Sequence, residues 1–322
     1  MKRLTIGVAL VATLGACGTT TVAPPVGKPE ASAWSFTDDR GTTITLPRRP
    51  ARIVAQSSVA AALWDLGVRP VGVFGPHKRA DGTADPEVVP VDITKVEGIG
   101  NVWDEFNVEK YAALRPDLLV SSMYVKDTLW YVPDRSKAQI EKIAPTVGIS
   151  LMGRSADQLI ERYASLAKAL GANVDAPQIV KDKARFEAAA GKLKTFAAEH
   201  PDLKVMFASG AADLFYVCYP PDYADLSYYI KQGLDVVTPK ADKGGYFESL
   251  SWENADKYAA DVIFVDSRTQ ALTIPQMAAK PTWAALPAVK AGHVYPWNPV
   301  TRLSYTGYAD MLESILTTLT TL

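Results

Sequence analysis

Side chains that could perform covalent chemistry occur along this 322-residue chain, but they do not form a catalytic motif. Ser165 and Lys168 have a Ser-x-x-Lys spacing, yet they lie in a stretch whose apolar residues repeat with a helical period. Cys218 has no recognisable histidine partner, and such a lone cysteine usually packs as a small apolar residue. Gly98-Ile99-Gly100 begins a dinucleotide-binding pattern, but Trp103 replaces its third glycine. These patterns do not support an enzyme.

Three histidines, His77, His200 and His293, are the candidate ligands for a bare metal ion. None of them has a second histidine or a cysteine at the short spacing typical of a zinc site. A receptor for a free ion needs histidines and carboxylates that converge, and the sequence does not indicate such a group. We therefore expect any metal to arrive already chelated by an organic ligand, and we expect no cofactor.

Two acidic patterns with the same spacing occur in the two halves of the chain. Glu109 precedes Asp117 by eight positions, and Glu253 precedes Asp261 by eight positions. An Asn or a Ser stands two positions before each glutamate, where a helix N-cap belongs. A local reason suffices for each glutamate, because a carboxylate in a first turn meets the positive end of the helix dipole. The matched spacing also suggests two exposed acids on corresponding edges, which could bind basic residues of a two-fold symmetric partner.

Strands and helices alternate along the chain and must position these residues. Short apolar strands at 52–56 and 70–74 flank a helix at about 57–66, which predicts a parallel, right-handed βαβ unit. The alternation recurs further on, with amphipathic helices expected at 126–144 and 252–259 among others. The sequence therefore predicts the α/β fold class.

A long charged helix at 176–199 interrupts this alternation and has no partner strand directly behind it. The expected architecture is two Rossmann-like α/β lobes, at 34–175 and 200–322, joined by this single rigid helix. The ligand would then lie in the cleft between the lobes. Because the helix resists wide opening, we expect a largely preformed cleft.

Aromatic and basic residues recur just after the predicted strands, where open α/β sheets bind their ligands. Several aromatic rings that converge on one cleft would form an apolar wall for a bulky organic ligand. A single such residue could equally be a core or rim residue. The candidate contacts, including two from Gly-rich loops, are Phe74, His77, Trp103, Tyr124, Tyr216, Tyr219, Tyr246, Arg268, Trp297, Arg302 and Tyr305.

The N-terminal residues predict export and a membrane anchor. Residues 1–16 have the positive start, short apolar run and small residues of a signal peptide, and the run is shorter than the ~20 residues that span a bilayer. Leu14-Gly15-Ala16-Cys17 resembles a bacterial lipobox, which implies cleavage before Cys17 and a lipid on it. The rest of 17–33 is rich in Thr, Pro, Ala and Gly and predicts a flexible tether.

Composition narrows the remaining classes. The formal net charge of -1 at pH 7 provides no basic field for nucleic acid. Apart from Cys17 only Cys218 remains, so the mature chain has no second thiol for an intramolecular disulfide. The 48% of hydrophobic residues can supply the core instead. We expect an extracytoplasmic monomer held at the cell membrane by its lipid.

At several segments the chain resembles the substrate-binding proteins of bacterial importers for iron–siderophores, haem and cobalamin. These segments are 37–41, 46–47, 52–55, 66–73, 98–100, 107–120 and 251–265, which together extend over nearly the whole mature chain. The resemblance implies two lobes bridged by a rigid helix, and it implies that Glu109 and Glu253 dock the lobes on the two membrane subunits of an ATP-binding cassette (ABC) importer. Ala260-Asp261 stands where Pro-Asp is usual, which changes the stiffness of that loop only.

The resemblance also bears on the ligand, because it strengthens Trp103, Tyr124 and Tyr246 as contacts. Receptors for strongly anionic ferric catecholates often have basic residues in place of Trp103 and Tyr124. Here Arg268 and Arg302 are the obvious cations, with Lys78, Arg79 and Arg154 available from loops. One or two arginines suit a neutral or weakly charged ferric hydroxamate, whose metal-bound oxygens can accept from the guanidinium fork. We therefore expect a ferric siderophore of the ferrioxamine type.

Two alternatives stay open. The same fold could bind haem or a corrinoid, and haem would require an axial histidine or tyrosine with an arginine near its propionates. A surface-anchored enzyme or adhesion module is the alternative from another class. Catalytic turnover, or binding to a protein partner without any chelate, would favour that second alternative.

Overall fold

The structure is a computed structural model, and it describes residues 33–268 and 270–322. Its strands are β1 (Trp34–Thr37), β2 (Thr43–Leu46), β3 (Ile53–Gln56), β4 (Gly72–Phe74), β5 (Glu97–Gly100), β6 (Leu118–Met123), β7 (Thr146–Ser150), β8 (Lys204–Gly210), β9 (Leu214–Cys218), β10 (Asp235–Val236), β11 (Phe247–Ser251), β12 (Val262–Asp266) and β13 (Val294–Trp297). Its helices are α1 (Ser57–Asp65), α2 (Val108–Ala113), α3 (Asp134–Ile143), α4 (Ala156–Ala169), α5 (Pro177–Glu199), α6 (Ala224–Lys231), α7 (Ile274–Met277), α8 (Pro281–Ala285), α9 (Pro287–Ala291) and α10 (Tyr305–Leu319). Two 3₁₀ turns lie at Pro220–Asp222 and Trp252–Asn254.

The sheet of the N-terminal lobe consists of parallel strands in the order β5-β4-β3-β6-β7. Every residue of β3 and β6 is buried, as expected for central strands of a parallel sheet that is covered on both faces. The chain leaves β3 toward β4 on one side and returns through β6 on the other. The carboxyl ends of β3 and β6 therefore form a switch point, where such sheets bind ligands.

The sheet of the C-terminal lobe is mixed, in the order β11-β9-β8-β12-β13, with β10 paired to the start of β8. The pairs β8–β12 and β12–β13 are parallel, whereas β8–β9 and β9–β11 are antiparallel. A core cluster that includes Phe215, Trp252 and Trp283 belongs to this lobe alone. The carboxyl end of β12, at Asp266, lies at the cleft between the lobes.

The 23-residue helix α5 joins the two lobes. Pro177 is its first residue, where the missing N–H is tolerated because that group has no partner within a helix. α5 packs along α10, and Arg185 of α5 forms ion pairs with Asp310 and Glu313 of α10 at 2.7 and 2.6 Å. The α/β class and the connecting helix are thus confirmed, with the helix starting one residue after the expected position 176.

Two expected helices are shorter in the structure. The stretch 126–144 is helical only over α3, because Pro133 lacks a backbone N–H and disfavours a helical residue before it. The stretch 252–259 forms a single 3₁₀ turn followed by irregular backbone. The antiparallel strands β9 and β11 were not predicted, because the sequence indicated only parallel strands that alternate with helices.

The expected signal peptide, the lipid site at Cys17 and nearly all of the tether lie outside the described residues. Within the described ranges, no helix combines the length and the apolar character needed to cross a bilayer.

Candidate functional site

A cleft of about 810 Å³ lies between the two lobes. Residues of both lobes line it, beginning at the carboxyl ends of β6 and β12. Its volume falls within the ~300–1,000 Å³ of typical small-molecule sites, and its position is the one at which open α/β sheets bind ligands. The cleft is therefore the candidate ligand site of this molecule.

The N-terminal wall of the cleft is aromatic. Tyr124, Trp130 and Tyr131 follow β6, and the ring centroid of Trp130 lies 4.9 Å from that of Tyr124 and 6.2 Å from that of Tyr131. Backbone contacts fix this loop on the end of β6. Trp130 N donates to the carbonyl oxygen of Ser122 at 2.9 Å, and Ser121 Oγ donates to the carbonyl oxygen of Trp130 at 2.8 Å. The wall is thus preformed rather than assembled around a ligand.

Two carboxyl groups, Asp85 and Glu87, also line this side of the cleft. Glu87 Oε1 accepts a hydrogen bond from Gln56 Nε2 at 2.5 Å, and Gln56 is fully buried at the end of β3. The other end of that amide accepts from Ser58 Oγ at 2.7 Å and from Ser122 Oγ at 3.3 Å, which fixes its orientation. Burial raises the pKa of Glu87 to about 7, and the charge of Asp85 acts in the same direction.

The C-terminal wall presents one guanidinium group, that of Arg268. Its Nε and Nη2 donate to Asp266 Oδ1 and Oδ2 at 3.0 and 2.7 Å. Asp266 is buried at the end of β12, and it also accepts from Ser209 Oγ at 3.2 Å. The ion pair fixes the orientation of the arginine and offsets its charge.

Asp225 is a second carboxyl group on the C-terminal side of the cleft. It is almost fully buried, and burial raises its pKa to about 7 although Trp297 Nε1 donates to its Oδ2 at 2.9 Å. Tyr223 lines the cleft beside it and packs edge-on against Tyr246 and Trp297, with centroids 5.3 and 5.6 Å away. Aromatic rings therefore line both walls.

Tyr246 connects the two walls. Its hydroxyl donates to the carbonyl oxygen of Tyr124 across the cleft at 2.7 Å. Its backbone has φ 62°, a conformation uncommon for a bulky residue, and its amide donates to Asp222 Oδ2 at 3.1 Å. The hydrogen bond from the Tyr246 hydroxyl to Tyr124 joins the two lobes beside the cleft and fixes their separation there.

Of the expected contact residues, the structure places Tyr124, Tyr246 and Arg268 together in the lining of the cleft. Phe74 and Trp297 are instead core residues, with 0% and 6% of their surface exposed. Both are the last residues of their strands, and their side chains point into the sheet packing rather than beyond its edge.

His77 and Trp103 lie in a different depression, an open groove of about 690 Å³ on the N-terminal lobe that also includes Glu109. His77 Nδ1 is 2.8 Å from the carbonyl oxygen of Gly75, which accepts from it when this nitrogen is the protonated one. Trp103 is 54% exposed, and its ring packs edge-on against Trp130 at 4.6 Å, behind the aromatic wall of the cleft.

Tyr216 and Tyr219 lie outside the lining of the cleft. The ring of Tyr216 packs 5.3 Å from that of Phe247, which does line the cleft. Tyr219 reaches the cleft only through its backbone, which donates to the carbonyl oxygen of Tyr246 at 2.7 Å.

Arg302 and Tyr305 are also outside the lining, because their side chains point away from the cleft. Arg302 pairs with Asp310 and lies 3.8 Å from Asp65 of α1. Tyr305 packs against Phe186 of α5, with 6.0 Å between ring centroids. Arg302 thus connects α10 with α1, and Tyr305 packs α10 against α5.

Sequence reasoning missed Glu87, Trp130, Tyr131 and Tyr223 as lining residues. The stretch 126–144 was expected to be helical, which hid two of them, although the proline at 133 directly after Trp130-Tyr131-Val132 indicates a loop. Tyr223 similarly follows Pro220-Pro221. For Glu87 no sequence signal exists, since it lies in a long segment without regular secondary structure.

Each expected docking glutamate lies in a first turn and is exposed. Glu109 is the second residue of α2, whose N-cap Asn107 accepts from Lys110 N at 2.8 Å. Glu253 lies in the 3₁₀ turn that follows Ser251, and hydrogen bonds from its own backbone and from Ser251 lower its pKa. In the described part of the chain, neither glutamate takes part in a salt bridge.

The aspartate eight positions after each glutamate makes the same pair of backbone hydrogen bonds in both lobes. Asp117 N donates to the carbonyl oxygen of Arg52 at 2.8 Å, and its Oδ2 accepts from Arg52 N at 2.9 Å. Asp261 makes the same two bonds with Lys204, both at 2.8 Å. Arg52 precedes β3 and Lys204 begins β8, so each glutamate is placed relative to the central strand of its lobe. We call these two units the acidic corners: Glu109 to Asp117, and Glu253 to Asp261.

The chain is similar to known proteins over most of its length. The profile of a family described as periplasmic binding protein matches residues 53–301. The structure of DesE, a ferric-siderophore receptor protein from Streptomyces coelicolor, shows 43% identity and a TM-score of 0.81 over 89% of this chain and 97% of DesE.

Two similar proteins of Bacillus subtilis have names that differ in the ligand. The iron(3+)-hydroxamate-binding protein FhuD is 26% identical over 305 residues, 90% of this chain and 88% of FhuD. The Fe(3+)-citrate-binding protein YfmC is 24% identical over 259 residues, 80% of this chain and 76% of YfmC. These relatives are named as binding proteins or as a receptor, not as enzymes.

Proposed function

Because this chain belongs to the periplasmic binding protein family, we propose that it is an extracytoplasmic receptor that binds a ferric siderophore and delivers it to an ABC importer. The names of DesE and FhuD support a chelate of iron as the ligand. The observation that carries the proposal is the cleft of about 810 Å³, which has aromatic rings on both walls and Arg268 on the C-terminal wall. No chemical step is needed for this function.

The proposed ligand class is the ferric hydroxamates. Ferric citrate and ferric catecholates carry several negative charges, and a matching site would need several basic residues. Among the described residues that line the cleft, the cations are Arg79 and Arg268, and Arg268 is already paired with Asp266. A ferric tris-hydroxamate centre is neutral, and its metal-bound oxygens can accept from the donors of one guanidinium group.

Haem and corrinoids are the alternative ligands. No histidine is among the described residues that line the cleft, so an axial ligand for haem would have to be one of its tyrosines or Met311. Burial raises the pKa of every tyrosine in this lining, which disfavours the phenolate that would bind iron, and the hydroxyl of Tyr246 also donates to a backbone carbonyl. These contacts favour the hydroxamate over haem.

Delivery is proposed to use the two acidic corners and the lipid. Glu109 and Glu253 would each form salt bridges with a basic residue on one membrane subunit of the importer. Their equivalent positions in the two lobes suit a two-fold symmetric partner, and their exposure leaves them accessible. A lipid on Cys17 would keep the receptor close to the importer and raise its local concentration.

The test is a titration of the intrinsic tryptophan fluorescence of the protein. The panel contains a ferric hydroxamate (ferrioxamine B), ferrichrome, a ferric catecholate, ferric citrate, haemin and cobalamin, with the iron-free chelators as controls. We expect saturable, sub-micromolar quenching by the hydroxamates, because Trp130 lies in the cleft wall. The variant Trp130→Phe should lose much of this signal and keep most of the affinity. Preference for the catecholate or the citrate would contradict the ligand class, and a response to haemin or cobalamin alone would support the alternative.

A further inference from the structure

The carboxyl groups of the cleft outnumber its basic groups. Asp85, Glu87, Asp222 and Asp225 line it, against the guanidinium groups of Arg79 and Arg268. None of these four acids forms a salt bridge within the described ranges, whereas Arg268 is neutralised by Asp266 at 2.7 Å. A site of this composition repels anionic chelates, and a ligand with a positive charge would relieve the repulsion among the acids.

Each side of the cleft has two of the acids, and they differ in what they contact. On the C-terminal side, Asp222 accepts from Tyr246 N at 3.1 Å, and Asp225 is almost fully buried and accepts from Trp297 Nε1 at 2.9 Å. Asp85 and Glu87 lie on the N-terminal side, where Tyr124, Trp130 and Tyr131 form the aromatic wall. Glu87 lies close to two of these rings, since its charge, after burial, raises the pKa of both Tyr124 and Tyr131. Carboxylates combined with aromatic faces are the groups that bind alkylammonium ions, through charge-assisted hydrogen bonds and cation–π attraction.

Glu87 is held in place for such a contact. Gln56, which is fully buried, donates to its Oε1 at 2.5 Å, and the hydroxyls of Ser58 and Ser122 orient the amide of Gln56. This network leaves Glu87 at the surface of the cleft rather than turned into solvent. Arg268, on the opposite wall, donates to Asp266 through Nε and Nη2, and this contact fixes the orientation of its guanidinium group. Glu87 on the N-terminal wall therefore offers a negative group for a cation, and Arg268 on the C-terminal wall offers N–H donors for the chelate oxygens.

From this division we propose that the wall formed by Asp85, Glu87, Tyr124, Trp130 and Tyr131 recognises a protonated primary amine carried by the ferric hydroxamate ligand. The inference rests on the proposed function, because it assigns a charged group to the ligand proposed there. It predicts that the receptor selects among hydroxamates by their charge, with the order cationic, neutral, anionic.

A series of ligands that differ only in this charge tests the inference. Ferrioxamine B carries a protonated amine, its N-acetyl derivative is neutral at that end, and its N-succinyl derivative carries a carboxylate. Affinities of the full chain are measured by isothermal titration calorimetry. We expect ferrioxamine B to bind roughly tenfold more tightly than the N-acetyl derivative, because the acetyl group removes about one charge-assisted hydrogen bond. The N-succinyl derivative should bind most weakly.

The variant Glu87→Gln removes the charge and keeps an oxygen that can accept from Gln56. It should reduce the difference between the first two ligands to about twofold or less, with little change in the affinity for the N-acetyl derivative. Glu141→Gln, an exposed glutamate of α3, is the matched control and should retain the full difference. Asp85→Asn provides a second variant, which should reduce the difference in the same direction if Glu87→Gln fails to fold.

The pH dependence gives an independent readout. Because the pKa of Glu87 is raised to about 7 by burial, the ammonium ligand must displace its proton below this pH. Affinity for ferrioxamine B should therefore rise between about pH 6 and pH 8 and then level off, with proton release at pH 7, whereas the N-acetyl derivative should show little of either. Burial also raises the pKa of Asp225, on the other wall, to about 7. The variant Glu87→Gln distinguishes the two groups, because it should remove the pH dependence only if Glu87 is its source. The charged groups facing Glu87 are Asp85 and Arg268, next to the hydroxyls of Tyr124 and Tyr131.

The outcomes separate this inference from the proposed function. Equal affinities for the three derivatives, or a difference that persists in Glu87→Gln, would overturn the ammonium site and leave the receptor function intact. Failure of every ferric hydroxamate to bind would overturn both.

Discussion

The two acidic corners make the same backbone contacts but are built from different local structures. In the N-terminal lobe, Glu109 lies on a true helix, α2, whose N-cap Asn107 accepts a hydrogen bond from the helix backbone. In the C-terminal lobe, Glu253 lies on a 3₁₀ turn of three residues without a side-chain cap. There the turn is held in place by the side chain of Trp252, which is 7% exposed and whose Nε1 donates to the carbonyl oxygen of Ala211 at 3.1 Å.

This difference identifies the part of the corner that is essential for placing the glutamate. Both lobes retain the aspartate that closes two hydrogen bonds on the residue at the start of the central strand, Asp117 on Arg52 and Asp261 on Lys204. The element between the glutamate and the aspartate is a capped helix in one lobe and a packed turn in the other. The position of the glutamate relative to the sheet is thus common to both lobes, while the source of its rigidity is local capping in one and tertiary packing in the other.

The strongest test of the common position is to remove both glutamates. The double variant Glu109→Ala, Glu253→Ala should abolish uptake of the ferric siderophore in cells and leave the affinity of the purified protein nearly unchanged, because neither residue lines the cleft. Each single variant should lose a comparable part of the uptake if the two corners bind equivalent importer subunits.

A matched control is the double variant Glu141→Ala, Glu199→Ala, which removes two exposed glutamates from α3 and α5. It should transport normally. A loss of ligand affinity in the Glu109, Glu253 double variant would contradict the separation of binding from docking, and unchanged uptake would contradict the docking role.

The same comparison shows what the sequence can predict. The repeated Glu–Asp spacing, the helix 177–199 and the strands at the centre of each sheet follow from local signals, namely caps, apolar runs and a long stretch with a proline only at its first position and Gly191 as its one glycine. The short α7 to α9 segments and the edge strand β11 do not, because they are brief, mixed in polarity and defined by their neighbours. Thus the elements with their own periodicity could be predicted, and those stabilised mainly by tertiary contacts could not.

The candidate site was less predictable for a related reason. Tyr124 directly follows β6 and Arg268 comes two residues after β12, so their place at the cleft could be inferred from the topology. Glu87 comes from an irregular segment, and its orientation depends on the amide of Gln56, a contact between residues 31 positions apart. At strand ends, the sequence also does not say whether a side chain turns inward like Phe74 or outward into the cleft.

The second prediction concerns the packing of Trp252, on which the C-terminal corner depends. Trp252→Ala should lower the free energy of unfolding by about 3–5 kcal/mol, because it leaves a cavity beside Phe215 and an unpaired carbonyl at Ala211. Urea unfolding followed by circular dichroism measures this. Trp103→Ala, at the exposed tryptophan just before the N-terminal corner, is the control and should cost only about 1 kcal/mol, from the lost contact with Trp130. Similar losses in the two variants would mean that packing is not what distinguishes the corners.

The third and smallest effect concerns the cap of the N-terminal corner. Asn107→Ala removes the side chain that accepts from Lys110 N at 2.8 Å, and it should cost about 1 kcal/mol in the free energy of unfolding. Ser251→Ala is its counterpart in the other lobe, where the serine hydroxyl caps no backbone N–H. It accepts from the side chain of Asn254 at 2.9 Å and hydrogen-bonds to the exposed Glu253, so the expected cost there is about 0.5 kcal/mol or less. Urea unfolding of both variants, under the conditions used for Trp252→Ala, compares them directly. If Ser251→Ala proves as costly as Asn107→Ala, the 3₁₀ turn also depends on its cap, and packing of Trp252 does not by itself account for the rigidity of the C-terminal corner.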